Sequence, residues 1–121
     1  NTLTVTSLSN TDCILLEAND ALVHLLNCPK NEIIGRKLTE IPLWSSATNK
    51  KQFQRAIDSA KEGNKTRFEV TFANGTEQDK IFDFTINPVL DDDGAVIYLI
   101  TEGSDITESK RLQIKIEERN Q

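Results

Sequence analysis

The chain has one histidine, one tryptophan, one tyrosine, two cysteines and three prolines in 121 residues. One imidazole and two distant thiols do not match the ligand spacing of a metal cluster. With His24 the only histidine there is no base to pair with a nucleophile, and no glycine-rich phosphate loop or kinase-type signature occurs. The three aspartates at 91 to 93 fall in a hairpin turn, where solvated charge is expected. An enzyme is therefore not the expectation for this chain.

Basic residues are also short: 14 against 19 acidic ones, a net charge of -5. That is the wrong sign for counterion-driven binding to nucleic acid or to anionic lipid. No apolar run approaches the ~18 to 20 residues that span a bilayer, and no basic segment followed by an apolar one opens the chain. Contact of this segment with a membrane is not expected. Cys13 and Cys28 fit free thiols in a reduced, cytoplasmic setting. The chain begins at Asn1 without a methionine, which suggests an excised piece of a longer parent.

What is present reads as one soluble domain, with 37% apolar and 27% charged residues and no low-complexity tract. "TLTVTSL" at 2 to 8 alternates and predicts a strand, "SNTD" a turn, and "CILLE" at 13 to 17 a second strand. Asn19 is suited to cap the helix "DALVHLLN". "KNEIIG" reads as a single turn closed by Gly35, and "RKLTEIPLW" as a short irregular element broken at Pro42. From 49 to 62, Phe53, Ala56, Ile57 and Ala60 recur at spacings of three and four, which predicts an amphipathic helix stopped by Gly63. "TRFEVTFA" and "DKIFDFTINPV" alternate on a two-residue period, and the Asn-Gly between them signals a tight hairpin. A last apolar strand after the aspartates stops at Gly103 and Ser104, before a charged helical segment. The order implies an α+β fold: five antiparallel strands in one sheet, with the helices on one face.

This order, with "ILLEAND" at 14 to 20, "IIGRKLTEI" at 33 to 41, "PVLDDDGAVIYL" at 88 to 99 and above all "DITE" at 105 to 108, resembles the PAS domain family of sensory modules over residues 3 to 110. The resemblance implies a sensor domain over 1 to 104 and a signalling helix over 105 to 121. Asp105, Ile106, Thr107 and Glu108 would transmit signal from the last, central strand to an effector domain. The residues support the same role: Asp105 and Thr107 are cap residues, Ile106 can anchor to the sheet, and Glu108 suits a helix N-terminus. Ser109, Leu112, Ile116 and Arg119 follow 3-4-3 spacing with Ile114 off the seam, too short for a convincing coiled coil.

Pockets in this family lie between the sheet's inner face and the helices. Strand parity, set by the resemblance, turns Phe68, Val70, Phe72, Phe82, Phe84, Ile86, Ile97, Leu99 and Thr101 inward, opposite Leu22, Leu25, Phe53 and Ile57; most of these are expected to be core. The candidate pocket adds Trp44, which could stack on an aromatic cofactor although core packing is the simpler reading. The cofactor stays open. Haem-holding members take a histidine from the long helix, which has none here, and His24 lies earlier. Flavin–thiol members use an Asn-Cys-Arg segment, whereas "NCPK" at 27 to 30 carries Pro29 and falls too early.

Outward residues Val96, Tyr98 and Ile100 make an apolar stripe that something should cover, an N-terminal segment or the partner of a homodimer. The expected function is a sensor and dimerisation module of a bacterial sensor histidine kinase, with an effector in the same parent chain. The alternatives are a ligand-free interaction module and a PAS domain of a cyclic-dinucleotide signalling protein.

Overall fold

The structure, a computed structural model, describes residues 4–40, 47–72 and 80–119. One five-stranded antiparallel sheet runs in the order β2-β1-β5-β4-β3. Its strands are β1 (Thr4–Asn10), β2 (Leu15–Ala18), β3 (Thr66–Phe72), β4 (Lys80–Leu90) and β5 (Val96–Asp105). The helices are α1 (Asp20–Leu26), α2 (Lys30–Ile33), a 3-10 turn (Leu38–Glu40), α3 (Ala47–Lys61) and α4 (Thr107–Arg119). The expected α+β fold, a five-stranded antiparallel sheet with helices packed on one face and a C-terminal exit helix, is what the chain forms. The Asn-Gly hairpin, Pro42 and Trp44 lie outside the described residues.

Alternation decides the faces. Val5, Ser7 and Ser9 of β1 pair with Gly103, Thr101 and Leu99 of β5, and all six are buried. Ile86 and Phe84 of β4 oppose Thr101 and Gly103 in turn. Over this inner face α1 packs on β1, and α3 on β3 and β4. The predicted stripe of α3 is the buried one: Phe53, Ala56, Ile57 and Ala60. Fully burying each of the larger side chains contributes about 1.5–3 kcal/mol.

Asn19 starts α1 and ties it sideways to β1. Its Oδ1 accepts from the amides of Leu22 and Thr6, both at 3.0 Å, and its Nδ2 donates to the Thr4 carbonyl at 3.0 Å. The outer edge of β2 is covered by the segment after α2: the Leu15 amide donates to the Arg36 carbonyl, and the amides of Gly35 and Leu38 donate to the carbonyls of Leu15 and Cys13. Gly35 holds φ +90°, a conformation that suits glycine.

Three expectations need correction. β1 runs on to Asn10, because Ser9 and Asn10 still pair with Leu99 and Tyr98, so the turn starts later than "SNTD" suggested. β5 does not stop at Gly103 and Ser104. It continues to Asp105, since those residues pair with β1 on one side and β4 on the other. A bulge shifts the β4–β5 register between Val89 and Leu90, so that Tyr98 faces Val89 while Val96 faces Leu90. Beyond the bulge Val96 packs against the core and Ile97 is 40% exposed, the reverse of the simple alternation.

Candidate functional site

The junction between β5 and α4 is built from four residues. In the β4–β5 register Phe82 faces Asp105, so the next facing pair is Ile81 and Ile106. The Ile106 amide keeps its ladder bond to the Ile81 carbonyl at 2.8 Å. The Ile106 carbonyl accepts instead from the Lys110 amide, in the first turn of α4, at 2.9 Å. The hydroxyl of Thr107 takes its place, accepting from the Ile81 amide at 2.8 Å.

Asp105 fixes that hydroxyl. Its Oδ1 accepts from Thr107 Oγ1 at 2.5 Å and from the Thr107 amide at 2.9 Å, while Oδ2 lies 3.6 Å from Lys80 Nζ. The chain Ile81 N–H to Thr107 O–H to carboxylate lets a strand become a helix with no ladder amide left over. Partial burial by itself would raise the Asp105 pKa, but the Thr107 bonds and the Lys80 charge outweigh it and hold the group below its ordinary value. Thr107 is buried, Ile106 is half-buried and Glu108 is exposed in the first turn. One turn on, Lys110 Nζ lies 3.1 Å from Glu69 Oε1, so α4 touches β3 as well as β4. The sequence marked Thr107 as a cap residue, but its partner Ile81, 26 residues earlier, left no sequence signal.

The junction abuts an aromatic row on the inner face. Phe53 of α3 and Phe68 of β3 have ring centroids 6.2 Å apart, Phe68 and Phe84 5.7 Å, and Phe84 and Phe82 5.8 Å. Phe82 is the residue that faces Asp105. Phe84 lies across Gly103: a Cβ there would fall 2.7 Å from Cδ1 and 2.9 Å from Cζ of the ring. Gly103 therefore serves packing, which its place after an apolar run did not suggest.

Of the candidate pocket residues, Leu22, Phe53, Ile57, Val70, Phe84 and Leu99 are buried in one core cluster, with Leu25 and Phe68 packed against it. Thr101 is buried among them at 5% exposure. Trp44 lies outside the described residues, as does the Phe72 side chain. His24 is exposed on α1. Cys13 and Cys28 are free thiols, and burial pushes the Cys13 thiol up, away from reactive thiolate.

On the outer face Tyr98 is 39% exposed and Ile100 half-buried, but Val96 turns inward at the bulge and leaves the proposed stripe. Ile97, Leu90 and Leu16 are exposed instead. Among the described residues no helix is long and apolar enough to cross a membrane.

A family model described as the PAS fold matches residues 3–111. Hybrid signal transduction histidine kinase D of Dictyostelium discoideum is 30% identical over 110 residues, which cover 88% of this chain and 7% of that protein. The PAS domain of Bordetella pertussis BvgS superposes with a TM-score of 0.72 at 15% identity, covering 97% of this chain and 87% of that one. The PAS domain of the fruit-fly ELK potassium channel gives 0.69 at 16%, covering 86% and 87%. The chain belongs to the PAS family, as a sensor domain.

Proposed function

We propose that this domain regulates a larger signalling protein, a sensor histidine kinase, by passing a change on its inner face through Asp105, Ile106 and Thr107 to α4. The observation that carries the reading is the exchange at Thr107. One hydroxyl serves as a ladder acceptor for β4 and stands at the first residue of α4, so β4 cannot shift against β5 without disturbing the helix start. The aromatic row supplies contact from α3 to Phe82 beside that point. The histidine kinase relative supports the choice of parent, of which this chain spans a small part.

The test is Asp105→Ala with Thr107→Ala in the full parent. Autophosphorylation that no longer follows the stimulus, with the sheet intact by circular dichroism, is the expected outcome. An unchanged response overturns the relay.

A second reading concerns assembly. The exposed Tyr98, Ile97 and Leu90, with half-buried Ile100, make an apolar surface at one end of the sheet's outer side, whereas β3 is paired by charge to β4 through Arg67–Asp83 and to α4 through Glu69–Lys110. We infer that a homodimer forms through the apolar end, away from those ion pairs.

A further inference from the structure

The two edges of the sheet are finished differently. The edge strand β2 is bonded along its outer side by the segment at 35 to 38, and β3 at the opposite edge has no such cover. Which backbone groups of β3 point outward follows from the ladder. Ile81 of β4 turns its amide to Thr107 Oγ1 and its carbonyl to the Ile106 amide, so neither group serves β3. Thr71, which faces Ile81, therefore turns its own backbone away from β4, and its carbonyl accepts from Asn49 Nδ2 of α3 at 3.1 Å. Residues two apart on a strand share a side. Glu69 and Arg67 accordingly present both amide and carbonyl to the open edge, and among the described residues these groups have no hydrogen-bond partner.

An open edge can bond to water, so the side chains decide what else fits it. An antiparallel strand added there meets Glu69, Phe68 and Arg67 in that order along its own direction. The matching residues are a base, an aromatic and an acid in succession, which is the sequence of Arg67, Phe68 and Glu69 themselves. We propose that β3 pairs edge to edge with β3 of a second copy, about a two-fold axis at Phe68. Arg67 then faces Glu69 of the other copy, and the reverse, as two hydrogen-bonded pairs that satisfy all the open amides and carbonyls of these residues. Both side chains are exposed on the outer face, where Arg67 already holds Asp83 and Glu69 holds Lys110. The pairing sets these charges in a row of alternating sign across the axis. On the inner face Phe68, half-buried between Phe53 and Phe84, meets its own copy in the close, non-hydrogen-bonded position. Because Asn49 closes the edge at Thr71, the pairing is short and the contact weak. It is separate from the apolar end around Tyr98, and a chain that uses both surfaces links dimers into larger assemblies.

The test is made on the chain carrying Tyr98→Glu and Ile100→Glu, which alters the apolar end and leaves β3 untouched, so either contact can fail alone. Sedimentation equilibrium up to about 1 mM reaches a contact of this weakness. In that background Arg67→Glu or Glu69→Arg sets like charges across the axis, and each alone is expected to be monomeric. Mixing the two variants is expected to restore the dimer, because every glutamate of one chain then faces an arginine of the other. Single variants that still dimerise, or a mixture that stays monomeric, overturn the proposal. Amide hydrogen exchange in the unaltered chain gives a second readout that no variant's folding can confound. The amides of Arg67 and Glu69 should exchange about tenfold more slowly once about nine in ten chains are paired at high concentration, whereas the Phe68 amide, turned toward β4, stays protected throughout. Exchange at 67 and 69 that does not change with concentration overturns the edge pairing.

Discussion

Thr107 bears three demands at once, and substitutions separate them. Thr107→Val keeps the shape and removes the acceptor, leaving the partly buried Ile81 amide without its bond at 2.8 Å. A loss of about 1–3 kcal/mol is expected by urea unfolding. Thr107→Ser keeps the hydroxyl and is expected to recover most of it. Asp105 adds a pH dependence of known sign. Its folded pKa lies below the ordinary 3.8, so its contribution is fully present above that value and is lost as the pH falls through the folded one. Urea midpoints measured from pH 7 to pH 3 should therefore fall less steeply at the acid end for Asp105→Asn than for the natural chain. Gly103→Ala forces a methyl against the Phe84 ring and is expected to cost about 1–3 kcal/mol. Adding Phe84→Leu should reduce that penalty, and a strictly additive pair would show that the ring is not what Gly103 accommodates.

Elements meet at α4, whose exit is set by two attachments on different strands. Ile106 and Thr107 hold it to Ile81 of β4, and Lys110 holds it to Glu69 of β3. A partly exposed pair of this kind is worth little for stability, about 0.2–1 kcal/mol. Two points nevertheless define a direction. Glu69→Lys or Lys110→Glu alone should broaden the distance distribution between spin labels placed on β3 and late in α4, and the charge-swapped double should narrow it again. If the singles leave the distribution unchanged, Ile81 alone anchors the helix. The bulge in β5 is a second effect at this scale. Because Val96 packs on the core and Ile97 does not, Val96→Asp should destabilise the domain far more than Ile97→Asp.

At the scale of the whole molecule the sheet has two unlike faces. The inner one carries the aromatic row and the paired hydroxyls of Ser7 and Thr101. The outer one is divided between ion pairs that join β3 to β4 and to α4 and apolar side chains around Tyr98. If the apolar part joins two copies, Tyr98→Glu with Ile100→Glu should yield a monomer in sedimentation while leaving the fold intact. A dimer of unchanged strength would place the interface elsewhere, with the exposed Leu112 and Ile116 of α4 the next surface to alter.

Local chemistry by itself determined most of the elements. Alternating β-branched and aromatic residues can form only strands with one wet face, the spacing of Phe53, Ala56, Ile57 and Ala60 buries one helical stripe, and Asn19 offers an oxygen where a helix must begin. The Asp-Ile-Thr segment was legible for the same reason, since its residue types suit a helix start. Tertiary structure alone decided where β5 ends, because pairing with both neighbours extends a strand through a glycine and a serine that read locally as a stop. It also decided which of Val96 and Ile97 faces the core, since a bulge depends on the partner strand. The Thr107–Ile81 bond and the meeting of Ser7 with Thr101 join residues far apart in the chain, and no local pattern encodes a partner that only the register of the sheet brings near.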